Sequence, residues 1–268
     1  MKVRANGLSL PDLDTLAAIE SSSPLFMPPG VLGRNWTPTK RPGEPLYRPA
    51  VNNGYWAEDI ITNGLVLYVP CWLYSGKKFP SVDAYKHTCT VTGAAWGLQG
   101  RTFGGVSDYI ALGTNTALKL EDGTALSYIL WVYVHTLQDA MLVGAVTSAT
   151  DSLGVGLQGG GANFRLNKFG VEYAPASFNV PANTRTCLGV SYTINSDLVY
   201  YKNGAAITTT TWAQTFTSAA QKTLGGHYFS GSLSQPFDGV IGEVFGFNRF
   251  LTAAEHAHVY NTTRWRYA

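Results

Sequence analysis

From Gly64 to Phe247 the sequence is a succession of short apolar runs, rich in β-branched and aromatic residues, broken at close intervals by Gly, Asn and Asp. Runs of this length bounded by turn formers have the composition of strands and are too short for amphipathic helices. The runs Leu65–Val69, Tyr109–Leu112, Leu126–Val134, Met141–Val146, Leu153–Leu157, Asn163–Leu166, Cys187–Tyr192, Leu198–Tyr201 and Val240–Phe247 are predicted strands. Asn203-Gly204, between Tyr201 and Ile207, predicts a hairpin, because a type I′ turn needs positive φ at both central residues. One helix follows the last strand, where Thr252 and Glu255 have capping-box spacing ahead of His256, His258, Val259 and Tyr260. The chain beyond residue 60 is therefore read as all-β.

Composition supports a large core and narrows the partners. The chain is 45% hydrophobic and 13% charged, ample for one large domain and unlike a disordered chain. A net charge of +2 is too small for nucleic-acid binding or attraction to an anionic bilayer, so neither partner is expected. No run of about 18 apolar residues is present, so membrane insertion by a helix is not expected either. Behind Met1-Lys2-Val3-Arg4 there is no apolar run of the secretory type. Cys71, Cys89 and Cys187 have no metal-ligand spacing. They read as buried thiols, with a Cys71–Cys89 disulfide as the alternative in an oxidising compartment.

The first 58 residues differ from the rest. Pro11, Pro24, Pro28, Pro29, Pro38, Pro42, Pro45 and Pro49 all fall here, and the segment has no sustained period except over Leu13–Ile19, a candidate short helix. Proline holds this backbone extended. Linkers are usually polar, whereas this one carries large apolar side chains. The reading is a docking arm over 1–58, anchored by Phe26, Leu32, Trp36 and Tyr47, ahead of a sandwich over 59–268.

Four stretches carry a family resemblance over about residues 62–262: Gly64-Leu65-Val66-Leu67-Tyr68-Val69-Pro70; Trp96-Gly97 with Gly100-Arg101-Thr102-Phe103 and Ser107-Asp108-Tyr109-Ile110; Leu188–Tyr192 with Leu198–Gly204; and Phe237-Asp238-Gly239-Val240-Ile241-Gly242-Glu243 through Glu255. In this order they resemble the laminin-G-like jelly-roll domains of the concanavalin-A-like lectin and glucanase superfamily. The resemblance implies an all-β, antiparallel two-sheet jelly-roll sandwich, here with an extended N-terminal arm and a short C-terminal helix. One departure is Gly242-Glu243, where relatives often carry an acidic pair.

Catalytic frames are missing. Retaining glycosidases need two carboxylates about 5.5 Å apart, and no Glu-x-Asp-x-x-Glu strand occurs. Glu58-Asp59 and Glu121-Asp122 are adjacent and point to opposite faces of a strand; Glu121-Asp122-Gly123 reads as a solvated turn. No GxSxG, HExxH or phosphate loop is present. His87, His135, His227, His256 and His258 have no ligand spacing and read as structural or surface residues. The resemblance makes calcium a possible ligand of Asp108 and Asp238, with Asp83 weaker, although turn geometry selects Asp at such positions too. For glycans the loops offer Trp72, Tyr74, Trp212, Tyr228 and Phe229, and the polar run Thr208–Trp212 suits an interface edge or a glycan-facing loop.

The function expected is a non-catalytic structural or adhesive component of a larger assembly. A virion surface protein fits, a capsid decoration or tail with the sandwich outward and the arm on neighbouring subunits. The alternative is a secreted or surface carbohydrate-binding module, with or without calcium. A glycosidase or lyase fits least.

Overall fold

The computed structural model describes residues 4–5, 8–9 and 61–268, apart from 146–152, 159, 161–162, 169–170, 174–177, 215, 217–220, 230–231 and 268. The readings made on Leu13–Ile19, Phe26, Leu32, Trp36 and Tyr47 lie outside the described residues. The chain divides into Met1–Asp59 and Ile60–Ala268. In the first unit β1 (Arg4–Ala5) pairs antiparallel with β2 (Leu8–Ser9).

In the second unit come β3 (Leu65–Pro70), β4 (Lys78–Pro80), β5 (Thr88–Thr92), β6 (Ala95–Gly97), β7 (Gly100–Gly104), β8 (Tyr109–Thr114), β9 (Ala125–Val134) and β10 (Ala140–Ala145). After them come β11 (Leu153–Gln158), β12 (Asn163–Lys168), β13 (Val171–Tyr173), β14 (Arg185–Thr193), β15 (Asp197–Lys202), β16 (Ala205–Thr211), β17 (Gln221–Leu224), β18 (His227–Phe229), β19 (Ser232–Ser234), β20 (Asp238–Phe247) and the helix α1 (Ala253–Thr263). They form a two-sheet jelly-roll sandwich. The first sheet runs β13-β12-β11-β10-β17-β8-β5-β4, the second β16-β15-β14-β9-β20-β7-β6. On one flank of β20, β7 pairs with Asp238–Ile241 and β3 with Glu243–Phe247, so these two short strands lie end to end. β18 and β19 pair separately.

Period-2 alternation aims every second residue of a strand at the space between the sheets. Leu126, Leu130 and Val132 of β9 and Leu188, Val190 and Tyr192 of β14 meet Val155, Leu157, Phe164 and Leu166 of the first sheet, all fully buried. Each such side chain stabilises the fold by about 1.5–3 kcal/mol. The predicted hairpin forms, with Lys202 opposite Ala205 and φ of 51° at Asn203 and 79° at Gly204. The polar run after it is mostly the exposed edge strand β16. Edge strands survive in water by carrying polar side chains such as these threonines.

α1 begins at the expected capping box, with Thr252 accepting from the Glu255 amide and Glu255 reaching back to Thr252. It covers the outer face of the second sheet. His256 stacks on Tyr201 at 3.7 Å between ring centroids and meets the Ser191 hydroxyl at 2.8 Å. The Trp131 indole donates to Thr263 Oγ1 at 2.8 Å, and the Tyr267 ring stacks on Trp131 at 4.4 Å. The segment Arg264–Tyr267 therefore packs on the sandwich. Gly242 follows from this, because a Cβ there would lie 2.5 Å from the Tyr267 hydroxyl. The residue that departs from the family pattern is the one over which the C-terminal ring lies.

One expectation is corrected. Glu121 is not on a solvated turn: the 3₁₀ turn Leu120–Asp122 buries it, and it forms an ion pair with Lys222 of β17 inside the protein. Local sequence shows a turn, but a cation buried beside the carboxylate turns it inward. Cys71, Cys89 and Cys187 are free and buried, and burial pushes the Cys89 thiol up to about 12.

Candidate functional site

The β6–β7 hairpin forms one edge of the second sheet, and Gly97 opposite Gly100 leaves Leu98 and Gln99 as a two-residue tip. Leu98 is 81% exposed and Trp96 41%. Large apolar side chains this open on a hairpin tip are unusual for a core-building element. The Trp96 indole donates to the Trp72 carbonyl at 2.9 Å, which ties the hairpin to the loop after β3.

Beside this tip lies a cluster of aromatic and cationic groups. The Arg266 guanidinium stacks on the Trp72 ring at 3.8 Å and on Trp265 at 4.6 Å. Its Nη1 donates to Glu243 Oε1 at 2.9 Å, and the Tyr68 hydroxyl donates to Glu243 Oε2 at 2.9 Å. Gln99 joins the parts: its Nε2 donates to the Arg266 carbonyl at 3.4 Å, and its Oε1 accepts from Arg185 Nη2 at 2.9 Å. Arg185 lies over the Tyr133 ring at 5.0 Å. Burial opposes the Arg266 charge, but Glu243, Tyr68 and Tyr267 outweigh that and hold its pKa above the ordinary arginine value. Burial lowers the pKa of Arg185. The open Trp96 ring on the edge strand offers a stacking platform, and the Gln99 amide at the hairpin tip a polar group near it in sequence.

Of the aromatics expected to bind, Trp72 belongs to this cluster and is half-buried. Tyr74, on the same loop, stacks on Phe79 at 5.4 Å and packs against the core. Trp212 is 6% exposed and packs on Tyr192 and Phe216, so it offers no open ring. Tyr228 is half-buried against Tyr109 at 5.2 Å, and the side chain of Phe229 lies outside the described residues. Trp72, Tyr74, Trp212 and Tyr228 do not converge on one site. Trp96, Gln99, Arg185 and Arg266 escaped sequence reasoning; the signal available was Trp and Leu in the glycine-flanked tip Trp96-Gly97-Leu98-Gln99-Gly100.

The aspartates border another rim. Asp108 Oδ2 accepts from the Gly104 amide at 2.8 Å; Asp238, opposite Gly104 in register, lies 3.3 Å from His135 Nδ1. Asp83 is buried, its oxygens taken by the Tyr68 and Tyr85 amides, each at 2.9 Å. Among the described residues no group of three or more His, Cys, Asp or Glu side chains is placed to hold a metal ion.

No curated protein matches the sequence. Solved structures similar in fold include botulinum neurotoxin type C, whose cell entry is dependent upon interaction with two ganglioside molecules (TM-score 0.60, 12% identity, 75% of this chain and 52% of that one). The binding domain of botulinum neurotoxin DC in complex with SialylT is similar (TM-score 0.58, 12% identity, 75% and 52%). So is a mutant of Trypanosoma rangeli sialidase displaying trans-sialidase activity (TM-score 0.58, 15% identity, 78% and 34%). The chain spans about half the length of the toxin chains and a third of the sialidase chain. At these identities the likeness is one of fold. A laminin-G-type family model, described as concanavalin A-like lectin/glucanases superfamily, matches residues 103–255. That match spans more than half of the sequence, and the chain belongs to the concanavalin A-like lectin/glucanases superfamily.

Proposed function

We propose that this chain is a non-catalytic module that binds carbohydrate at the β6–β7 edge. The observation that carries the reading is the open Trp96 ring, tied to the Trp72 carbonyl on the edge hairpin whose tip carries Gln99, on a lectin-type sandwich. Sugars present C–H faces that stack on indole and hydroxyls that suit amide and guanidinium donors. The neurotoxin neighbours, with their ganglioside and SialylT partners, support this choice of ligand class. The carboxylates Asp83, Glu121 and Glu243 are buried and engaged by structural partners, which supports binding rather than hydrolysis.

A glycan array probed with the full chain tests the reading. Binding should fall at least about ten-fold in Trp96→Ala, with the fold retained by circular dichroism, since an exposed hairpin ring contributes to contact and little to the core. No glycan bound by the unmodified chain would sink the reading. Release of reducing ends from a bound glycan would replace it with a glycosidase.

The fuller form of the reading places the module on a virion surface, with residues 1–58 tethering it to protein subunits of the same or a neighbouring component. Its support is the proline-rich, apolar sequence carrying Phe26, Leu32, Trp36 and Tyr47. Light scattering after size exclusion, on the full chain and on a chain beginning at Asn53, should show assembly for the first and a folded monomer for the second. Two monomers would remove the tether.

A further inference from the structure

Directly across the β6–β7 hairpin from Trp96 stands Arg101. Cross-strand partners share a face of their sheet, so the two side chains leave it on the same side. Arg101 is 2% exposed, burial lowers its pKa, and among the described residues no carboxylate forms an ion pair with it. Burying a guanidinium without a counter-ion opposes folding, which directs attention to what its hydrogen bonds hold.

They hold two segments at once. Nη1 donates to the Ala94 carbonyl at 3.1 Å, just ahead of β6, and Nη2 donates to the Tyr74 and Gly76 carbonyls at 2.7 and 2.6 Å, on the loop between β3 and β4. The guanidinium lies over the Phe79 ring at 5.2 Å. On the same loop the Trp72 carbonyl accepts from the Trp96 indole at 2.9 Å. The carbonyls of Trp72, Tyr74 and Gly76 therefore all turn toward the hairpin. Together the bonds close a circuit, from Trp96 through the loop to Arg101, and from Arg101 through Ala94 back to Trp96. The planar fork of arginine can span carbonyls of two segments in this way, whereas lysine is a single point of charge. A ring inside such a circuit cannot swing off the edge without parting from the loop. Fixing an exposed ring before a ligand arrives removes the cost of ordering it from binding.

Resting on the carbohydrate reading above, we propose that Arg101 is a positioning residue for the sugar site. It touches no sugar; it sets the Trp96 ring by holding the loop over residues 72–76 against the start of β6.

Arg101→Lys keeps the charge and loses the fork. Hydrogen exchange of the Trp96 indole N–H, followed by nuclear magnetic resonance and identified by its absence in Trp96→Phe, should quicken at least about ten-fold, the worth of one hydrogen bond. With circular dichroism as in the unmodified chain, glycan-array binding of Arg101→Lys should fall about three- to ten-fold, the worth of one side chain fixed in advance. Thr252→Ala, which weakens the α1 cap, is the control for lost stability and should move neither readout. Indole exchange or array binding unchanged in Arg101→Lys overturns the proposal, as does an equal change in Thr252→Ala. Where Arg101→Lys fails to fold, the unmodified chain decides. Its Trp96 indole N–H and Arg101 guanidinium N–H groups should open with one rate and one urea dependence; an indole that opens while the guanidinium stays protected overturns the proposal. An array empty for the unmodified chain removes the carbohydrate reading and the sugar with it, while the exchange rates still decide whether Arg101 holds Trp96.

Discussion

His256 is buried between the Tyr201 ring and the Ser191 hydroxyl, and burial lowers its pKa from 6.5 to about 3. The folded chain holds it neutral while the unfolded chain takes up a proton near pH 6.5. Its contribution is therefore fully present above pH 6.5 and is lost as the pH falls toward 3, on the order of 2 kcal/mol by pH 5. Glu255 acts lower: its hydrogen bond to Arg249, chiefly, holds its pKa near 2, so its contribution is lost only between pH 4.5 and 2. Melting temperatures at pH 7 and pH 5 should differ for the native chain and differ much less for His256→Gln. At Gly242 a methyl group would strike the Tyr267 ring; Gly242→Ala should cost about 1–3 kcal/mol in urea unfolding and shift Trp131 emission to the red. At this scale the sequence was only partly legible. Trp212, beside a threonine run, looked open and folds over Tyr192, whereas Trp96, given no binding role from the sequence, is open. A side chain's neighbours come from far along the chain: the cation that buries Glu121 is 101 residues away.

At the scale of elements, local rules decided what was readable. The capping box and the Asn203-Gly204 turn are complete within a few residues, and both were foreseen. Thr252→Ala should cost about 1 kcal/mol of stability in thermal unfolding, the usual value of an N-cap. Strands β4 to β7 were not foreseen as strands, since they run only three to five residues, β4 and β5 mixing in polar residues and β6 and β7 glycine. Such elements exist because a neighbouring strand supplies their hydrogen bonds, which no local pattern encodes. The pairing of β17 with the Leu120–Asp122 turn through Lys222 and Glu121 belongs here too. Lys222→Met leaves Glu121 buried without its cation and should cost about 3–5 kcal/mol in urea unfolding, while adding Glu121→Leu should recover most of it.

For the whole molecule, order along the chain and position in the sheet are opposed. β20 is the last strand in sequence, yet it stands between β9 and the β3/β7 pair in the middle of its sheet. The second sheet cannot close until that strand is present. A chain ending before Asp238 should show no cooperative urea transition, and the full chain should refold in the millisecond-to-second range of non-local β topologies, followed by tryptophan fluorescence in stopped flow. The architecture was legible because its four recognisable stretches recur in a fixed order. The edge cluster was not, because it is assembled from the loop after β3, the β6–β7 tip, the start of β14 and the C-terminal turn. The end-to-end placement of β3 and β7 along β20 also fixes how the module carries tension. Leu65 lies opposite Phe247, while Trp96 lies opposite Arg101 and so level with Ile241, six residues further along β20, roughly 20 Å. A pull entering ahead of Leu65 and leaving through a ligand held at Trp96 thus runs lengthwise along the strand. It loads the hydrogen bonds between β3 and β20 in shear, together rather than one after another, the geometry in which a β-sheet resists being torn open.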